Sequence, residues 1–321
     1  MTNAGTPVQR VRAGLVGVAS SLACRLPDGP LIWLVELAGT LWYRLAPGRA
    51  AQGRRNLRRV CQWFAAEDLG PEYARRAARE PRALERLLRS AFRHQARYYL
   101  EVALTPSMTA AYIRERLTVE TPEVVDEAFA RPEPIIFVGL HFGAIELPAL
   151  FLAWRSRRIG TAPMETIDDP PLQRWFTRTR GSVGIRIVGL REARRELLTA
   201  LRRGDPVGLV ADRDLTGGGI ATTLFGHPAP LPVGPALLAL ESNAPVYVTS
   251  VRRSGRGRYR GRLERIAFPA QGTRRERVTA FLAAEAAAFE RAVAISPEQW
   301  WAVFFPIWPD LEAPANDTKD R

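Results

Sequence analysis

Two segments of the chain contain side chains able to move protons. His141 and Glu146 form an H-x4-E pair within Gly139-Leu140-His141-Phe142-Gly143-Ala144-Ile145-Glu146, and Asp212-Arg213-Asp214 precedes three glycines, Gly217 to Gly219. An imidazole at a helix N-terminus meets the positive end of the dipole, which disfavours imidazolium and leaves a ring able to take a proton. A five-residue offset separates two side chains by roughly 140° on a regular helix, so the pair meets only if His141 lies in the turn before it. Gly139 and Gly143 give that turn its freedom. Glu146 would then accept the Nδ1 proton, fix the tautomer and stabilise the charge formed when the other nitrogen is protonated. A base with an orienting carboxylate and no enzymic nucleophile suits activation of a substrate hydroxyl. A purely structural histidine is the alternative, because an acid four or five residues after a histidine is a common accident of sequence.

In the second segment the triglycine loop offers backbone N–H groups to an anion. A structural Asp212-Arg213-Asp214 ion pair is the alternative; a divalent metal is not expected, since nothing nearby completes an oxygen ligand set. Arg178 and Arg180, with Arg174, stand near a helix end before Gly181, where they would grip a phosphate or form a solvated face. Arg256, Arg258, Arg260 and Arg262 alternate as on one face of a strand, with phosphate or only water as partner. His94 and His227 have no chemical partner at useful spacing, and there is no G-x-S-x-G elbow, Walker loop or strand-bound G-x-G-x-x-G.

The elements that must hold these groups follow from hydrophobic patterning. Ile135-Ile136-Phe137-Val138 is a short continuous apolar run of the sort buried on both faces of a sheet, followed by the glycine turn and a helix to about Trp154. Strands are predicted again at Ile185 to Val188, Val207 to Val210 and Val246 to Val248, and helices at Arg191 to Arg202, Ala236 to Glu241 and Arg274 to Val293. Alternating strands and helices predict an α/β fold with a mostly parallel central sheet flanked by helices. In such sheets sites form at the carboxyl ends of strands, where both proton-moving segments lie. Upstream, Leu31, Leu34, Val35, Ala38, Leu41, Trp42 and Leu45 give a helix a continuous apolar stripe, with Arg44, Arg49, Arg54, Arg55, Arg58 and Arg59 close behind. Such a segment lies on an anionic membrane surface, or is a core helix followed by a basic one. Residues 72 to 104 read as two further helices. Residues 1–70 are thus expected to form a helical membrane-associating region, 71–310 the α/β core and 311–321 a disordered tail.

The 321 residues contain 46 Lys+Arg against 33 Asp+Glu, a formal charge of +13, and Lys319 is the only lysine. Arginine favours planar contact with phosphate, which points to nucleic acid, anionic lipid or a nucleotide-bearing cosubstrate. Cys24 and Cys61 are too few and too far apart for a disulfide framework or zinc site, and a reducing compartment is expected. Arg10 and Arg12 before the apolar Ala13 to Cys24 stretch give a poor lipoprotein-signal pattern, with Ser21 where leucine is wanted.

The order of the segments resembles a bacterial lipid acyltransferase family, which includes the late acyltransferases of lipid A and the actinobacterial phosphatidylinositol mannoside acyltransferases. The resemblance rests on the H-x4-E block, Ala211-Asp212-Arg213-Asp214, Leu224-Phe225-Gly226-His227-Pro228-Ala229, Pro232 to Leu240 and Pro297-Glu298-Gln299-Trp300, over roughly residues 30 to 308. It implies a glycerol-3-phosphate acyltransferase-like fold with N-terminal amphipathic helices. It also implies acyl transfer from acyl-CoA or acyl carrier protein to a hydroxyl of a membrane glycolipid, at the cytoplasmic face of the membrane. His141 and Glu146 would be catalytic, and Arg178, Arg180, Asp212, Arg213 and Asp214 would bind substrate. No cofactor beyond the acyl donor and no nucleic-acid partner is expected. The Asp-Arg-Asp segment is most similar to the mannoside branch, whereas Ala221-Thr222-Thr223 departs from the acidic residues many of its members carry before Phe-Gly. The alternatives are a lipid A-type or other lipid-alcohol acyltransferase and a non-catalytic basic binder of lipid or nucleic acid.

Overall fold

The computed structural model describes residues 5–130 and 133–312; the Lys319 end of the expected tail lies outside them. The chain opens with five helices: α1 (Pro7–Ala23), α2 (Asp28–Leu45), α3 (Pro47–Ala66), α4 (Glu72–Ala77) and α5 (Pro81–Leu104). Then come α6 (Ala110–Arg116), β1 (Leu117–Val119), α7 (Pro122–Phe129), β2 (Ile136–Gly139), α8 (Glu146–Ser156), β3 (Gly160–Met164), α9 (Pro170–Gly181), β4 (Ile185–Gly189), α10 (Ala193–Arg202) and β5 (Val207–Val210). The last elements are β6 (Ile220–Leu224), β7 (His227–Leu231), α11 (Gly234–Ser242), β8 (Val246–Gly255), β9 (Arg258–Ile266) and α12 (Arg274–Ile295).

Seven strands form one sheet in the order β1-β9-β8-β2-β5-β3-β4, parallel except for the β8–β9 pair, while β6 and β7 form a separate antiparallel ribbon. This is the mostly parallel α/β sheet expected from the alternation of elements. Its central strand β2 is buried on both faces. Ile136 and Val138 face a core shared with α3, α5, α11 and α12, and Phe137 faces Leu152, Tyr247 and Leu263. Burial on both faces explains why β2 reads as an unbroken apolar run instead of an alternating one.

α2 packs on α5 through Ile32 and Gly39; a Cβ at Gly39 would lie 2.8 Å from the Arg93 Cα, so only glycine permits this approach. The predicted stripe is therefore split. Val35 and Trp42 turn inward with Ile32, whereas Trp33, Leu34, Leu37, Leu41 and Leu45 are exposed. α1 exposes Val8, Val11, Leu15, Val18 and Leu22, which follow a three-four spacing along one face. Among the described residues no helix is long and apolar enough to cross a membrane.

Candidate active site

The sheet register brings His141 and Asp212 together. β2 and β5 are parallel neighbours with Gly139 opposite Val210, and each chain continues two residues past that rung, to His141 and to Asp212. The Ala211 N–H donates to the Gly139 carbonyl, extending the pairing to the carboxyl edge of the sheet. There His141 Nδ1 lies 2.6 Å from Asp212 Oδ1, and the His141 backbone N–H donates to Oδ2 at 2.9 Å. The Trp300 indole N–H donates to Oδ2 as well, at 2.7 Å. Burial opposes charge on Asp212, which is fully enclosed, but the His141 ring, the Trp300 indole and the His141 N–H outweigh it and hold the pKa below the usual value. An ionised carboxylate only accepts hydrogen bonds, so the proton between the two residues belongs to Nδ1. In the neutral form of the ring the lone pair then lies on the opposite nitrogen, Nε2. It has no hydrogen-bond partner among the described residues, and the ring keeps 15% of its exposure.

The turn carrying His141 is fixed from three sides. Gly143 has φ +54°, and a Cβ there would lie 2.0 Å from the Val251 carbonyl oxygen, which accepts the Ala144 N–H. Arg253, buried, donates to both oxygens of buried Glu101 at 2.7 and 2.6 Å and to the Gly143 carbonyl at 2.9 Å. The 297–301 segment crosses the turn: the Gly143 N–H donates to the Gln299 carbonyl and the Trp301 N–H to the His141 carbonyl, both at 2.9 Å. Trp301 also meets the imidazole edge-on, ring centres 4.5 Å apart, and stacks on Tyr98.

Glu146 does not make the contact expected of it. As the first residue of α8 it turns toward α9, where Arg180 Nη2 donates to Oε1 at 2.5 Å and Nε to Oε2 at 3.0 Å. His141, thrown over β5 by the Gly143 turn, finds Asp212 instead. The Arg180 pKa is raised: burial opposes its charge, but the Glu146 carboxylate more than offsets burial. Asp212 cannot contact substrate as expected either, since its side chain is wholly enclosed. The triglycine loop does bind an anion, but the anion is Asp214, which accepts from the Thr216 and Gly217 N–H groups at 3.0 Å and from Gly219 at 2.7 Å. No ion pair forms within Asp-Arg-Asp; Arg213 lies over the Phe305 ring, 3.7 Å from its centre. Arg178 is exposed and lines a hollow of about 650 Å³ between α1 and α9 with Trp175. The sequence assigns no role to Trp300 or Trp301. The one signal is the Pro297-Glu298-Gln299-Trp300 block, which ends at Trp300 and directly precedes Trp301.

The imidazole is held at one nitrogen and open at the other, with no hydroxyl or thiol of the described residues bonded to it, a geometry suited to general-base chemistry. The family model for bacterial lipid A biosynthesis acyltransferases matches residues 73–306, and the chain belongs to that family. It is 27% identical to a phosphatidylinositol mannoside acyltransferase of Mycolicibacterium smegmatis (strain ATCC 700084 / mc(2)155) over 293 residues, covering 87% of this chain and 93% of that protein. It is 30% identical over 167 residues to a protein of the same name from Mycobacterium tuberculosis (strain CDC 1551 / Oshkosh), covering 50% of this chain and 52% of that one. The protein is a lipid acyltransferase.

Proposed function

We propose that the chain transfers a fatty acyl group from a thioester, acyl-CoA or acyl carrier protein, to a hydroxyl of a phosphatidylinositol mannoside-like glycolipid at the cytoplasmic face of the membrane. The observation that carries the reading is the 2.6 Å contact between His141 Nδ1 and Asp212, which leaves Nε2 as the unengaged ring nitrogen. Nε2 removes the acceptor hydroxyl proton as the oxygen attacks the thioester carbonyl. The C–S bond then breaks, and the proton on His141 passes to the departing thiolate. Asp212 positions the ring and offsets the transient imidazolium charge. Glu146 and Arg180 tie α8 to α9 beside this site. The mannoside acceptor is supported by the two mycobacterial relatives, one of them similar over nearly its whole length.

Membrane association is supported by the outward apolar residues of α1 and α2, with Arg10, Arg12, Arg25 and Arg44 exposed alongside them. Apolar side chains beside arginines suit the interface of an anionic bilayer. The test is turnover by the purified full chain, with palmitoyl-CoA or palmitoyl carrier protein as donor and mannosylated phosphoinositide, lipid A precursor or diacylglycerol as acceptor. Thiol release and the product mass are followed together. The expected result is thiol release that depends on the mannosylated lipid and yields its mono-acylated product. Release with none of these acceptors, or acylation of lipid A precursor alone, contradicts the proposed acceptor.

A further inference from the structure

The chain is strongly basic, yet its half-buried arginines are almost all occupied: Arg54 with Glu85, Arg59 with Asp310, Arg116 with Asp28, Arg180 with Glu146 and Arg252 with Glu120. Among the described residues, Arg49 and Arg213 are the half-buried arginines with neither an ion pair nor a hydrogen bond. Arg49 Nε and Nη2 and Arg213 Nε are buried with no acceptor. Both guanidinium groups converge on one ring, Phe305, with their central carbons 4.8 and 3.7 Å from its centre, and Arg49 also lies 5.1 Å from that of Trp42. Aromatic faces attract cations, but they supply no hydrogen-bond acceptor in the guanidinium plane.

Two neighbouring carboxylates are already committed, and the exposed Glu165 reaches Arg213 through charge alone. Asp212 accepts from His141 and Trp300, and Asp214 accepts from its own glycine loop. Arg49 stands in the first turn of α3, where the capping residue Ala46 makes no side-chain hydrogen bond and no acid is present, so the positive helix end adds to the two arginines. Burial and the Arg213 charge lower the Arg49 pKa despite an opposing contribution from Tyr99, and burial lowers that of Arg213 although Asp212 and Glu165 oppose it. Two like charges on one ring, with no carboxylate hydrogen-bonded to either, leave room for an external anion.

We propose that Arg49 and Arg213, braced on Phe305, form a binding site for a substrate phosphate group. Their planar donor edges match phosphate oxygens, and the site is one aromatic layer from the base: Phe305 neighbours Trp301 at 6.4 Å between ring centres, and Trp301 meets His141. The assignment of that phosphate to the reaction rests on the acyl-transfer reading above. Its source is either the phosphates of the acyl donor or the phosphodiester of the lipid acceptor.

Titration calorimetry of the full chain with inorganic phosphate and phenyl phosphate tests the site without requiring turnover. Wild type is expected to bind both, Arg49→Gln and Arg213→Gln each to weaken binding at least tenfold, and the lysine variants to keep part of the affinity. Near-UV circular dichroism checks that each variant is folded. In steady state, a rise in KM for palmitoyl-CoA alone assigns the phosphate to the donor, and a rise in KM for the phosphoinositide acceptor alone assigns it to the acceptor. Absence of phosphate binding by wild type, or folded glutamine variants that bind as tightly as wild type, overturns the site. A chain that binds phosphate through these arginines yet transfers no acyl group keeps the site and removes only the reaction assigned to it.

Discussion

Replacing Asp212 by asparagine changes one atom and should invert the logic of the site. Asp212 Oδ2 accepts two N–H donors, from His141 and Trp300, and Oδ1 accepts one, from Nδ1. Asparagine has a single acceptor oxygen. Turned toward the two donors, it saves both bonds and sets its NH2 group against Nδ1. Turned the other way, it saves one bond and sets NH2 against two N–H groups. The first orientation wins by about one buried hydrogen bond, roughly 1–3 kcal/mol. In that orientation Nδ1 must accept, which forces the ring proton onto Nε2, the nitrogen needed as base. The imidazolium also loses its counter-charge. The expected loss in kcat is about 10³–10⁴, or some 4–5.5 kcal/mol of barrier, with the fold retained. Acceptor-dependent thiol release measures the rate, and ¹⁵N-histidine NMR reads the tautomer. With three histidines in the chain, a His141→Gln spectrum suffices for assignment. Retention of more than about a tenth of wild-type kcat, or an Nδ1–H tautomer surviving in Asp212→Asn, would refute the reasoning.

Gly143→Ala should destabilise the chain by roughly 3–5 kcal/mol in urea unfolding, since the new methyl meets a carbonyl oxygen at a left-handed position; a loss under about 1 kcal/mol contradicts this. Glu285, wholly buried on α12 with neither oxygen bonded, has its pKa raised well above 4.5 by burial and then by the Asp212 charge. The folded chain therefore holds a proton that the unfolded chain releases. Stability from this group falls as pH rises from about 4.5 toward the folded pKa, with a slope approaching ~1.4 kcal/mol per pH unit. Glu285→Gln should remove that component from unfolding curves at pH 5 to 7, and an unchanged slope rules it out. Leu15→Glu with Val18→Glu on α1, or Leu37→Glu with Leu41→Glu on α2, should reduce co-sedimentation with anionic vesicles several-fold without altering the circular dichroism spectrum. Undiminished sedimentation excludes those faces as the docking surface.

Both halves of the dyad were visible in the sequence as groups just past apolar strands, but their partnership was not. It depends on β2 and β5 being neighbours, and sheet order is set by long-range packing that no local pattern records. H-x4-E pointed to the nearer carboxylate, yet a left-handed Gly143 and the start of α8 at Glu146 send the two side chains to different neighbours. The Trp300 donor lies 88 residues from Asp212. Three of the strands without a clear sequence signal have weak β character, whereas β6, Ile-Ala-Thr-Thr-Leu, is short and lies between the glycine loop and Phe225-Gly226. β3 is Gly-Thr-Ala-Pro-Met, β1 has three residues, and β7 contains two prolines, tolerated because its ribbon has only two strands. Gly14 and Gly17 weaken the helical pattern of α1 and give it a signal-like look, although Thr6 and Gln9 make a full capping box at its start.

The most direct measurement is single-turnover acyl transfer by His141→Gln beside wild type, with saturating donor and acceptor and with folding verified by unfolding midpoint. Glutamine fills the space of the ring but cannot take a proton at neutral pH. The expected outcome is a rate lower by about 10²–10⁴ while donor and acceptor still bind. A folded His141→Gln chain that transfers acyl groups within a fewfold of wild type would show that the proton leaves by another route.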